Sequence, residues 1–313
     1  MKRIVIIHAG AIGDLVQALP ALAGVRAAWP GAAVTLIGRP ERAVLARMAG
    51  IADSCMDVET CGLWRLAGGD AAGAPALAVL DGADLVLDFL TRGALAARRG
   101  GHGPQVVWVE PLPPPQWTET AAAWVTGQVR DRLGTSPPAP GPEIAATEAA
   151  LAAARGILAA RRGGHEPFVA IHPGSGSAKK NWPADRFAQV AERVQHELRR
   201  EIVWLAGPAE IERGTLPPQV QRGTLLQDLA LDEVAAVLAL ADAYLGNDSG
   251  ITQVAAAVRR PDGRATPTVA LFGPTDARVW APRGDHVRVV RSPDGPMESI
   301  AAEEVCAAVA ATV

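Results

Sequence analysis

The chain has 313 residues, 49% of them hydrophobic and 20% charged, and a formal net charge of −3. That length exceeds one hydrophobic core and predicts two domains of roughly 150 residues each. The composition is that of an ordinary soluble globular protein, and the near-neutral charge excludes a strong global field aimed at nucleic acid.

The N-terminus, "MKRIVIIHAG", holds an apolar stretch too short for a signal sequence with a cleavage site. It reads as a first buried strand, "RIVIIH" at 3–8. A helical pattern follows, "DLVQALPALAGVRAAW", with Leu15, Leu19 and Leu22 on one face and Pro20 expected to kink or break it. Next come a strand at 33–38, a helix near 40–48, and strands at 84–89 and 105–110. This alternation implies a parallel sheet covered by helices. Residues 134–142, "GTSPPAPGP", read as a linker, and an Ala-rich helix over about 143–162 follows. The second half repeats the rhythm: strands "FVAIHPG", "EIVWLAG" (201–207), "AYLGND" (243–248), "TPTVALFG" (266–273) and "HVRVV" (286–290), with helices between them and a closing helix near 298–312. The expected architecture is α/β: two Rossmann-like domains, 1–160 and 161–313, with parallel sheets facing across a cleft and the final helix returning to the first domain. No apolar run approaches the ~18 residues of a membrane span, so a cytoplasmic protein with at most peripheral membrane contact is expected. Cys55, Cys61 and Cys306 form an odd set without metal spacing, which fits a reducing compartment.

Open parallel sheets bind ligands at the carboxyl ends of their strands, so strand-to-helix junctions are where chemistry is sought. In "HAGAIGDLVQALPAL" (8–22), Gly10 and Gly13 permit a tight turn, but the dinucleotide fingerprint G-x-G-x-x-G is not met. Asp14 at the helix start reads either as a carboxylate facing the helix dipole or as a general base. In "HPGSGSAKKNWP" (172–183), Gly174 and Gly176 let backbone N–H groups approach an anion, Ser175 and Ser177 offer hydroxyls, and Lys179 and Lys180 offer charge. This is a phosphate cradle at a helix N-terminus, or else a solvated basic loop. In "GNDSGITQVAAA" (246–257), Asp248 or Ser249 is a helix cap or a ligand contact, and the turn "GPTD" at 273–276 is equally open. Arg92, Arg98 and Arg99 form a basic cluster that is either a solvated face or a contact for an anionic acceptor. There is no clustered metal-ligand spacing and no G-x-S-x-G elbow.

Taken in order, "GAIGDLVQALPAL", "HPGSGSAKKNWP", "LAGPAEIE", "GNDSG" and "PTVALFGPTD" resemble glycosyltransferase family 9, the ADP-heptose:lipopolysaccharide heptosyltransferases, over nearly the whole chain. The resemblance implies a GT-B fold and inverting, metal-independent transfer of heptose from ADP-heptose to a Kdo/heptose inner-core or related glycan acceptor, with no cofactor. It implies Asp14 as the base and Lys180 as the partner of the donor diphosphate. Gly13, Ser175, Ser177, Lys179, Glu210, Leu229, Asp248, Ser249, Gly250 and Gln253 would line the donor site, with Glu210 at the ribose and Leu229 against adenine. Arg92, Arg98 and Arg99 would meet the acceptor. Partners are the nucleotide sugar and an anionic glycan or glycolipid, with no nucleic acid; the chain is expected to be a monomer, with any membrane contact at the cytoplasmic face of the inner membrane. This sequence has Gln253 where the family pattern has histidine, Ile251 in place of the common proline or leucine, and an apparent insertion, "RRPDGRA", at 259–265. Two alternatives stay open: a nucleotide-sugar-binding module without catalysis, and a nucleotide-sugar epimerase or hydrolase on the same fold.

Overall fold

The computed structural model describes all residues except 69–73, 96–102, 139–142, 163–165, 208–209, 212–215, 217–219 and 221–222. The chain divides into two compact units, Met1–Pro142 and Glu143–Val313.

The first unit is built on β1 (Arg3–His8), β2 (Ala33–Gly38), β3 (Ser54–Asp57), β4 (Leu85–Asp88) and β5 (Gln105–Trp108). They form one parallel sheet in the order β3-β2-β1-β4-β5. Strands β1 and β4 are buried along nearly their whole length, as continuous apolar runs in a two-sided sheet must be. The first helix runs unbroken from Ile12 to Ala28 with Pro20 inside it, and buries Leu15, Leu19 and Leu22. It packs against the helix Ala121–Leu133. Gly24 makes room for the chain leaving that second helix: a Cβ there would lie 2.8 Å from the Ser136 backbone.

The second unit carries β6 (Ile144–Ala145), β7 (Phe168–His172), β8 (Glu201–Ala206), β9 (Thr224–Gln227), β10 (Ala243–Asn247), β11 (Val258–Arg259), β12 (Thr268–Phe272) and β13 (Val287–Arg291). Six of these form a parallel sheet, β13-β12-β10-β7-β8-β9. Read in chain order within the sheet, this is 3-2-1-4-5-6, the Rossmann order; the first sheet follows the same order with five strands. The core gathers Val169, Ile171, Trp182, Phe187, Trp204, Leu245 and Leu271.

Two expectations about the division are corrected. The boundary lies at 142/143 rather than 160/161, because the helix Glu148–Arg162 packs on the helix Leu231–Leu240 of the second sheet, burying Leu151, Ala154 and Leu158. The short strands β6 and β11 pair as well, and Glu143 meets Arg259 at 3.0 Å. The final helix, Ala302–Ala310, packs against the helix Ala184–Glu197 and belongs to the second unit through Val305, Cys306 and Val309. The segment that reads as an insertion forms a tight turn after β11: Arg260 N–H donates to Arg264 O at 2.8 Å, with Gly263 at φ +83°. Among the described residues, no helix is long and apolar enough to cross a membrane.

Candidate active site

In each sheet the order reverses beside the first strand, and the crevice outside the strand ends at such a switch point is where open α/β sheets take ligands. In the first sheet the reversal lies between β1 and β4, so the loops that matter follow His8 and Asp88. In the second it lies between β7 and β10, so they follow His172 and Asn247.

At the first switch point the loop after β1 opens the helix Ile12–Ala28, with Gly13 half-buried in its first turn. Asp14 folds back so that Oδ2 accepts the Ala11 N–H at 3.0 Å, satisfying one of the amides a helix start leaves over. Arg42 Nη1 donates to Gly10 O at 2.6 Å from the neighbouring helix and pins the same loop. Asp88, wholly buried, shapes the loop after β4: its Oδ1 accepts the Leu90 and Thr91 N–H groups at 3.0 and 2.9 Å. That turn ends on Arg92, which is exposed and held at φ +52°, a left-handed conformation unusual for arginine. Arg98 and Arg99 lie outside the described residues.

His8 closes β1 with 4% exposure, its ring edge-on to Phe89 with centroids 5.3 Å apart. Burial brings its pKa down to about 4. The sign follows from the depressed value: the unfolded chain binds the proton first, so stability present above the unfolded value near 6.5 is lost as pH falls towards 4. Acidification across that window should remove roughly 3 kcal/mol through this group. Urea denaturation at pH 7 and pH 4.5 should show the loss in the wild type, and a smaller one in His8→Gln.

The second switch point gathers most of the donor-site candidates. Strand β7 delivers His172, and the chain continues through Gly174 to Ser177, a short 3-10 turn at Ala178–Lys180 and Pro183 before the helix Ala184–Glu197. Ser175 is buried, and its hydroxyl braces the loop, 2.7 Å from Ser177 O and 2.6 Å from Asn181 Oδ1. Lys179 is exposed and Lys180 half-buried. Lys180 Nζ lies 2.8 Å from Asp248 Oδ2, joining the loops of β7 and β10 directly across the switch point. Ser249 caps the helix Gly250–Ala257 by accepting the Thr252 N–H at 3.3 Å.

Glu210 is buried beside the same loop. The Gly207 N–H donates to its Oε2 at 2.8 Å, and His172 Nε2 stands 3.7 Å from that oxygen. Glycine is required at 174 because a Cβ there would fall 2.0 Å from Glu210 Oε1. Burial pushes the Glu210 carboxyl up, but His172 and the Gly207 N–H outweigh it and hold it below the usual value. Leu229 follows β9 on the same sheet edge, half-buried, one residue beyond Asp228 at φ +58°.

Two positions are placed differently from a simple ligand contact. Gln253 is buried and its Nε2 donates to Trp280 O at 2.6 Å, tying the helix Gly250–Ala257 to the segment after β12. The turn at 273–276 ends on Asp276, whose Oδ1 accepts the Arg278 N–H at 2.9 Å as the cap of the helix Ala277–Trp280. Sequence reasoning singled out neither Asn247 nor His172 as a site residue. Asn247 is fully buried and clasps the cradle: its Oδ1 accepts the Trp182 N–H at 3.0 Å and its Nδ2 donates to Pro173 O at 2.7 Å. The available signal was a polar amide ending an otherwise apolar strand, where a buried side chain needs partners.

Comparison with known proteins adds identity to this geometry. The lipooligosaccharide heptosyltransferase 2 of Haemophilus influenzae is 31% identical over 144 residues, 43% of this chain and 39% of that protein. The matched segment therefore spans well under two thirds of the relative. Among solved structures, a glycosyl transferase family 9 protein from Veillonella parvula superposes with TM-score 0.80 at 20% identity, covering 99% of this chain and 97% of that one. The E. coli heptosyltransferase WaaC, solved with ADP, superposes with TM-score 0.70 at 20% identity, covering 99% and 100%. At that identity these structures speak for the fold, two Rossmann-like domains of the GT-B class. Residues 126–309, more than half of the chain, match the family described as Glycosyltransferase family 9 (heptosyltransferase). The chain belongs to glycosyltransferase family 9.

Proposed function

We propose that the protein is an inverting glycosyltransferase that moves a heptose from ADP-heptose to a lipopolysaccharide inner-core or related anionic glycan acceptor, without a metal ion. The observation that carries this reading is the Lys180–Asp248 pair, bridging the two loops of the second switch point beside Glu210, in a chain of this family.

The chemistry follows from those groups. The anomeric carbon loses the diphosphate through an oxocarbenium-like transition state, and negative charge grows on the leaving group. Lys180 and the N-terminus of the helix Gly250–Ala257 would meet that charge, a role worth several kcal/mol in a preorganised site. Glu210 would accept hydrogen bonds from the ribose and Leu229 would cover the adenine. Asp14, in the first unit, would take the proton of the acceptor hydroxyl, and attack from the face opposite the leaving group inverts the anomeric centre. Arg92 would meet an acidic group of the acceptor. The reaction takes place in the cytoplasm, with peripheral contact to the inner membrane where a glycolipid acceptor is presented, and the chain acts as a monomer.

The reading is tested by calorimetric titration with ADP, GDP and UDP, where ADP should bind best; equal affinity for all three would contradict an adenine-selective donor site. Because lysine and helix amides carry the charge, transfer should survive EDTA at an unchanged rate. Activity lost in chelator and restored by Mg²⁺ or Mn²⁺ would contradict that part.

A further inference from the structure

The cradle contains an anion of its own. Asp248 is buried, 9% exposed, at the exit of β10, and its backbone N–H is fastened to Leu271 O at 2.9 Å. Its Oδ2 sits 2.8 Å from Lys180 Nζ, and Lys180 is itself fixed by a 3.0 Å bond from its N–H to Ser177 O. The Asn247 clasp holds the two loops together, so the pair is preformed on a stiff backbone. A diphosphate approaching Lys180 therefore meets a cation already neutralised by a carboxylate, with Glu210 as a second buried carboxylate on the same sheet edge.

Resting on the donor-site reading above, we propose that Asp248 is a specificity-determining residue: its fixed charge makes the cradle favour a nucleoside-diphosphate diester over the free nucleoside diphosphate. At neutral pH the free diphosphate carries one negative charge more than its sugar diester, because its terminal phosphate ionises a second time. Repulsion from a fixed carboxylate grows in proportion to ligand charge and is weakly screened in a buried site. The penalty therefore falls harder on the product than on the donor, and the spent nucleotide leaves.

The test is calorimetric titration of wild type, Asp248→Asn and Asp248→Glu with ADP, with ADP-ribose as a stable diester, and with adenosine. In Asp248→Asn, ADP should bind roughly tenfold tighter, ADP-ribose should gain at least about threefold less than ADP, and adenosine should be unchanged. Asp248→Glu keeps the charge and should keep the wild-type ratio of ADP to ADP-ribose within about twofold. ADP binding to the wild type without tightening in Asp248→Asn, or equal gains for both ligands, overturns the inference alone. A ratio shifted as far by Asp248→Glu as by Asp248→Asn also overturns it, since shape rather than charge would then decide. Failure of the wild type to bind ADP or ADP-ribose overturns the donor-site reading together with this inference.

Discussion

Asp14→Asn should lower turnover by roughly 10²–10⁴ while donor affinity stays within a few-fold of wild type, the usual worth of a general base. Asparagine is the informative replacement. Its amide oxygen can still accept the Ala11 N–H that Asp14 Oδ2 now holds at 3.0 Å, so the helix start keeps its shape. What disappears is the ability to take a proton. The Arg42 bond to Gly10 O and the packing of the helix Ile12–Ala28 do not depend on that charge, so the thermal midpoint should move little. Steady-state rates with saturating acceptor, paired with calorimetry of the donor, separate the two effects. Near-normal turnover would remove Asp14 from the mechanism and leave it as a helix-start brace.

Lys180→Ala should weaken ADP binding by about 1.5–3 kcal/mol, the range for a lost charge-assisted hydrogen bond. The upper part of that range is expected, because the substitution also leaves Asp248 without its cation beside the phosphates. Lys179→Ala should have a much smaller effect, since Lys179 is exposed while Lys180 is half-buried and paired. Calorimetric titration of both variants with ADP reads the difference directly. Equal, small losses would mean that the loop is basic without being a phosphate site.

Much of this arrangement is legible in the sequence, and the reasons are local. Strands β1, β7 and β10 are short apolar runs that end in a polar residue beside glycine-rich turns, a pattern that fits a strand buried on both faces. The glycines and polar residues that follow mark the exits where the switch points fall. The edge strands β3 and β9 were not legible: "SCMD" and "TLLQ" are half-exposed and owe their extended form to neighbours β2 and β8 rather than to their own pattern. The domain boundary was misplaced for a similar reason. A proline-rich stretch marks where a chain can be a linker, but which sheet the next helix joins is decided by packing, here by Leu151, Ala154 and Leu158. Pro20 reads as a helix breaker, yet tertiary burial of the surrounding turns keeps one helix from Ile12 to Ala28.

At the site, the pairing of Lys180 with Asp248 lies beyond the reach of a linear reading, since the two are far apart in sequence and only the adjacency of β7 and β10 brings them together. The clasp by Asn247 has the same origin. Gln253 shows the converse. Its place one turn into a helix that starts at the cradle suggests a ligand contact, while its amide is bonded to Trp280 O, a partner that no spacing rule points to.

The most direct measurement is mass spectrometry of the acceptor after incubation of the purified chain with ADP-heptose and a Kdo-terminated lipid A acceptor in the presence of EDTA, with free ADP quantified in parallel. The expected result is an acceptor heavier by one heptose, ADP released in equal amount, and both signals absent in Asp14→Asn over the same interval. An unmodified acceptor with ADP-heptose bound but intact, or ADP released without any glycosylated product, would contradict heptosyl transfer.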